Sequence, residues 1–158
     1  RFWLADGNAN GELAIALDFE DTAAEFPIRA GQRISFTATE VSQFDGKPQI
    51  SRATGWMLEA ETGDVYIAEP AAPLDAVADM ARVVRLTGTV TNAGSPCGGS
   101  SLCYDFEIEP GWTEILRSAS EFIEVGDCIT YVGPVSAFGG NAQLDTFNFD
   151  WIFTYRQD

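Results

Sequence analysis

Three sets of side chains in this sequence have the types and spacing to do chemistry. The first is DGNANGE, Asp6 to Glu12, which matches the opening of a calcium loop with oxygen ligands at alternate positions Asp6, Asn8 and Asn10. The match ends there: Leu17 stands where the bidentate Glu should be, and strand-like sequence replaces the flanking helices. A hairpin turn rich in Asn and Gly gives the same letters with no ion. The reading is therefore no cofactor, with calcium at these residues as the alternative.

The second set is Asp105, Glu107 and Glu109, which alternate with Tyr104, Phe106 and Ile108. That period of two puts the carboxylates on the outer face of a strand. Acid–base work by paired carboxylates needs a cleft that raises one pKa, and the sequence supplies only a solvated acidic face. The third set is the cysteines. Cys97 and Cys103 flank a Gly- and Ser-rich loop and are expected to close it with a disulfide, leaving Cys128 odd; three free thiols in a reducing cytosol is the alternative. Histidine is absent, which removes imidazole haem ligation, His-based zinc sites and the Ser-His-Asp triad. No catalytic residue is assigned, and the expectation is a protein that is not an enzyme.

Charge narrows the partners. With 24 Asp and Glu against 9 Lys and Arg, the formal net charge is -15, and no basic run exists to displace the counterions of a phosphate backbone. Nucleic acid is excluded on that ground. An acidic surface suits a secreted or salt-exposed protein. No apolar run of 18 residues is present, so no membrane span is expected, and the start at Arg1 in place of Met suits a processed chain. Together these predict an extracytoplasmic location, periplasmic or secreted.

The elements that carry these residues are written twice. VSQFDGKPQIS (Val41 to Ser51) returns as VSAFGGNAQLD (Val135 to Asp145), and upstream Gly31, Ile34 and Phe36 correspond to Gly126, Ile129 and Tyr131. A period of 94 to 96 residues indicates duplicated domains and not a solenoid. Ile34, Phe36 and Ala38 alternate with Arg33, Ser35 and Thr37, the pattern of a half-buried strand, and Asp45-Gly46 and Gly139-Gly140 are hairpin turn pairs. Each return run, PQISRATGWML and AQLDTFNFDWIFTY, is read as one strand, with Phe147, Phe149, Trp151 and Phe153 sharing a core face. The second copy adds a first strand with Val84, Leu86 and Val90 alternating around Gly88, where a long strand must bend, and a hairpin turned by Pro110 and Gly111.

Phe2, Leu4, Asp6 and Gly11, with Gly126, Asp127, Ile129, Tyr131, Gly133 and Val135, give the chain a pattern that resembles the OB-fold, a five-stranded Greek-key barrel. It is similar to the small OB domains of bacterial periplasmic proteins and to those attached to secreted nucleases. The resemblance implies an all-β chain of two tandem OB-like barrels, residues 1–69 and 83–158, joined by a linker helix over 70–82. The first barrel lacks its first strand. Three fillers are conceivable: residues upstream, a neighbouring molecule, or DVYIAE (Asp64 to Glu69) folding back, which is the one expected in an isolated chain. By the same resemblance the outer face of the first barrel would be Trp3, Ala5, Ala14 and Ala16, an uncharged partner-binding platform. The function expected is a binding or assembly module, a subunit of a larger assembly with a protein partner or copies of itself. The alternatives are an accessory domain for oligosaccharide or single-stranded nucleic acid, and a metal-dependent hydrolase.

Overall fold

Alternating apolar and polar residues with Gly-rich turns produce strands throughout. The computed structural model describes residues 2–5, 14–17, 27–29, 31–44, 47–61, 67–109, 111–119, 122–146 and 152–155, and none of these is helical. Consequently no described helix is long and apolar enough to cross a membrane. The chain divides into two compact units, Arg1–Tyr66 and Ile67–Asp158.

The first unit is a four-stranded sheet of β1 (Phe2–Ala5), β2 (Ala14–Leu17), β3 (Arg33–Phe44) and β4 (Lys47–Ala60), in the order β1-β2-β4-β3. β1 and β2 are antiparallel, β2 and β4 parallel, and β3 and β4 form the expected hairpin, whose last pair is Phe44 with Lys47. The hairpin is irregular. Between the Ser35–Met57 and Thr37–Thr54 pairs β4 carries an extra residue, and Gly55 there has φ +65, a conformation that glycine adopts freely. The bulge accompanies the packing of Trp56 on Phe36, ring centroids 4.6 Å apart, beside buried Ile50 and Ala53.

The second unit holds β5 (Val83–Val90), β6 (Ser95–Pro96), β7 (Leu102–Ile108), β8 (Trp112–Ser118), β9 (Cys128–Phe138), β10 (Asn141–Thr146) and β11 (Ile152–Tyr155). Five of them close a barrel in the order β5-β7-β8-β10-β9 and back to β5, with β8 and β10 parallel. The run β9-β5-β7-β8 sets the fourth of these strands beside the first, which is a Greek key. Val84, Leu86, Val90, Phe106, Leu116, Ile129, Tyr131, Val135 and Leu144 fill the interior. Gly88 sits where expected. β5 pairs with β9 from Val83 to Thr89 but with β7 only from Gly88 onward, and a side chain at Gly88 would collide with the Glu107 carbonyl.

Two expectations are corrected here. The second return run is two segments, since β10 ends at Thr146 and β11 resumes at Ile152 against Cys128–Tyr131 of β9; Phe147, Phe149 and Trp151 lie outside the described residues. The linker helix is one capped turn. Asp75 Oδ1 accepts from the Val77 and Ala78 N–H groups at 2.8 Å, which pulls its carboxyl below the usual range, and Asp79 N–H closes the turn on the Asp75 carbonyl. The turn then stops, because the barrel claims the next groups: Ala81 donates to the Val135 carbonyl at 2.9 Å from a left-handed backbone (φ 68), and Val135 donates to the Arg82 carbonyl at 2.8 Å. Strand pairing overrides helix propensity in so short a segment.

Residues 67–82 are part of the second unit. Ala68 forms a parallel bridge with Val84, donating to the Val83 carbonyl and accepting from Arg85, while Leu74 and Ala76 pack on the core. Ile67 to Glu69 therefore lie against β5, which corrects the expectation that this run completes the first barrel; Asp64 to Tyr66 lie outside the described residues.

β9 changes partners between Pro134 and Val135, from β5 to β10. Fully buried Tyr131 spans that point, its hydroxyl donating to the Pro134 carbonyl at 2.7 Å with the Asp145 carbonyl of β10 at 3.3 Å. Tyr131→Phe should cost about 1–2 kcal/mol, read as a lower denaturant midpoint at unchanged slope. Gly133→Ala should cost more, because its Cβ would meet Tyr131 Oη at 2.5 Å. Wild-type midpoints in both variants would refute this role.

Candidate functional site

The carboxylates of β7 point outward, as the alternation requires. Asp105 and Glu107 are exposed, and Glu109 follows in the turn to β8. Asp105 is held in place by Asn92, whose amide donates to Oδ2 at 2.9 Å while its oxygen accepts from the Asp105 N–H at 2.7 Å. On β8 their cross-strand partners are Ile115 and Thr113, and on β5 Glu107 also pairs with Thr89. Among the described residues no three of Cys, Asp and Glu are grouped to hold a metal ion, and Asp6, Asn8 and Asn10 lie outside those residues.

Of the proposed platform, β1 and β2 fix the backbone. Trp3 pairs with Ala16 and Ala5 with Ala14, so the register aligns all four positions. At the far end of the β3–β4 hairpin, Arg33, Ile34, Ser35, Glu59 and Ala60 line an open groove of about 540 Å³. Ser35 Oγ donates to Glu59 Oε1 at 2.6 Å, a pair fit to contact a polar ligand.

The expected disulfide is present, joining Cys97 to Cys103, and Cys128 is free and half-buried. Around it lies a cluster that the sequence did not reveal. Cys103 is the cross-strand partner of Arg117, and Gln143 Nε2 of β10 lies 3.9 Å from Cys103 Sγ. Arg117 Nη2 donates to the Gly98 carbonyl inside the disulfide loop at 3.4 Å, its guanidinium stands 5.6 Å over the Phe138 ring, and Asp145 Oδ1 is 3.9 Å from Nη1. Gln143 and Ser136 are only 4% and 2% exposed although both face away from the core. The available signal was slight: alternation places Cys103 outward, but no pattern in one strand identifies its neighbours from β8 and β10.

One buried acid stands apart. Glu114, at the start of β8, accepts the Leu74 N–H at 2.8 Å and so holds the 67–82 segment on the barrel. Burial raises its pKa and the nearby Asp79 charge adds to this, against the lowering effect of the Leu74 bond. Buried, perturbed carboxylates occur in active sites, but this one is engaged by backbone and serves as a tether.

No protein-family model matches the chain, and a search of curated proteins finds no match.

Two outcomes follow from these surfaces. Because folding raises Glu114's pKa, the folded state takes up protons, and its stability falls as pH rises from the ordinary carboxylate range through the raised value. Glu114→Gln keeps an acceptor for Leu74, so it should gain on the wild type as pH rises, with the gap closing in acid; a gap independent of pH would refute the tether's titration. The exposed acids of β7 and the net charge of -15 predict no measurable binding to single-stranded DNA or RNA at physiological salt. Micromolar binding that weakens steeply with salt would overturn this.

Proposed function

We propose that the chain is a non-enzymatic binding or assembly module built from two OB-like barrels, working outside the cytoplasm, periplasmic or secreted, and assembling with copies of itself. The observation that carries this reading is a correspondence of strand order. In the barrel, β7-β8-β10-β9 run side by side with β8 and β10 parallel; in the first unit, β1-β2-β4-β3 run in the same order with β2 and β4 parallel. What the barrel has in addition is β5, between β7 and β9. Between β1 and β3, the equivalent places, no strand stands among the described residues. Such edges offer unpaired N–H and C=O groups, and a strand donated by a second molecule would satisfy them by β-augmentation.

Further support comes from exposed apolar side chains in the same unit, Val41 at 63% and Met57 at 59%. The disulfide is compatible with an oxidising compartment. A second reading, an accessory domain for oligosaccharide, draws its support from the Ser35–Glu59 groove.

With a net charge of -15 per chain, self-association is opposed by repulsion and should strengthen with salt. Size-exclusion chromatography with light scattering at low and physiological salt reads this directly. The wild type is expected to form an oligomer, more of it at the higher salt, and Trp3→Glu, a charge placed at the register position opposite Ala16, should dissociate it. A monomer in both proteins at both salts overturns the assembly reading.

A further inference from the structure

We propose that Cys97–Cys103 is an exchange-active disulfide whose substrate is a dithiol, with Cys97 the sulfur attacked and Cys103 the sulfur that leaves. The two sulfurs have different surroundings. Both cysteines are half-buried, but Cys97 follows β6 at the mouth of a hairpin whose neighbours Ser95, Pro96, Gly98, Gly99 and Ser100 are all exposed, which puts the open side of the bridge at Cys97. Cys103 lies within β7, facing the Gln143 amide at 3.9 Å and paired across the strands with Arg117.

Both neighbours suit a sulfur that gains charge. The Gln143 Nε2 group donates toward Cys103 Sγ while Oε1 is buried without a hydrogen-bond partner, so the amide's polar contact in this site is the one its donor end makes with the sulfur. Arg117, the cross-strand partner of Cys103, brings a cation to the same stretch of sheet and is fixed by Phe138 and the Gly98 carbonyl. Two carboxylates share this face: Asp145, 3.9 Å from Arg117, and Asp105, two residues along β7, which is bound by Asn92. Asp145 draws on part of the Arg117 charge, so the amide donor matters most. A thiolate stabilised by N–H donors and a guanidinium is a better leaving group and makes a disulfide easier to reduce.

The electrons balance as follows. A thiolate of the dithiol bonds to Cys97 Sγ, the Cys97–Cys103 bond breaks, and its electron pair leaves on Cys103 Sγ. The dithiol's second thiolate then attacks its own sulfur in the mixed disulfide and releases Cys97 as a thiolate. The dithiol departs as a disulfide, its two protons pass to solvent or to the released sulfurs, and the chain has gained two electrons.

The test equilibrates the intact chain in glutathione redox buffers and locates alkylated cysteines by mass spectrometry, with free Cys128 as the internal reference. Before reduction one thiol should label. The wild-type disulfide should open within the glutathione range, and Gln143→Leu should lower its equilibrium constant for reduction at least tenfold, roughly 30 mV. Arg117→Met should act in the same direction. In the reduced wild type, pH-dependent alkylation should show Cys103 ionising below the ordinary thiol value of about 8.5, a readout that a merely structural bridge would not move and that needs no variant to fold. A disulfide that stays closed in a dithiol redox buffer poised over the same range of potentials overturns the proposal, as does a Cys103 thiol ionising at or above the ordinary value.

Discussion

The closed second unit depends on one buried hydroxyl. β9 must leave β5 and take up β10 between Pro134 and Val135, and Tyr131 bridges that point from the strand's own interior face. Proline at the switch has no N–H to leave unpaired, and glycine leaves room for the phenol. The hydroxyl also comes within 3.3 Å of the Asp145 carbonyl, so the strand that bends and the strand that closes the ring share one atom. Burial and the neighbouring Asp145 push the phenol well above its usual pKa, which keeps the proton that makes the bond. Gly88 does the corresponding service on β5, where the backbone passes from one neighbour to two. A five-stranded ring has few places to absorb curvature, and these are the positions where it is absorbed.

Legibility followed locality. Alternation within one strand was enough to place β5, β7, β8 and the β3–β4 hairpin, and the Cys97–Cys103 loop could be read because its ends are near in sequence. The break of the last return run was not readable, because β10 and β11 answer to different halves of β9 and nothing in AQLDTFNFDWIFTY announces the change of partner. The turn after Asp75 begins as a helix would, with an Asp cap and helix-forming residues, and only the carbonyl of Val135, 54 positions past Ala81, decides that it ends. Alternation also assumes one wet face. On β10 it fails, since Gln143 and Asp145 face outward and are nonetheless buried.

The second unit contains its own connecting segment for a related reason. Ala68 bridges β5, Leu74 is held by Glu114, and Ala81 pairs with β9, so the stretch from Ile67 to Arg82 is bonded to three strands of the barrel. Composition suggested a linker helix over 70–82, because helix formers follow a Pro-rich start. What composition could not convey is that a barrel end exposes backbone groups and core side chains that some segment must cover. Burial raises the pKa of the Glu114 carboxylate in that cover, and the Leu74 N–H it accepts offsets part of the cost.

Function was less legible than fold because the residues that set the barrel's shape carry no chemistry. Gly88, Gly133 and Tyr131 are needed for closure whatever the surface does. Along β7 the outward Asp105 and Glu107 are acidic, and beyond them Cys103 of the disulfide meets the Gln143 amide and has Arg117 as its cross-strand partner. An arginine on an acidic protein is most simply a solvated ion pair, worth little. This one stands over an aromatic ring, is bonded into a disulfide loop and pairs across the strands with Cys103, whose sulfur faces an amide with an unpartnered oxygen. Stability alone would be served as well by apolar residues of similar volume at these positions. The polar groups make a difference to the sulfur of Cys103, whose charge changes when the disulfide opens, and it is there that their burial acquires a chemical consequence.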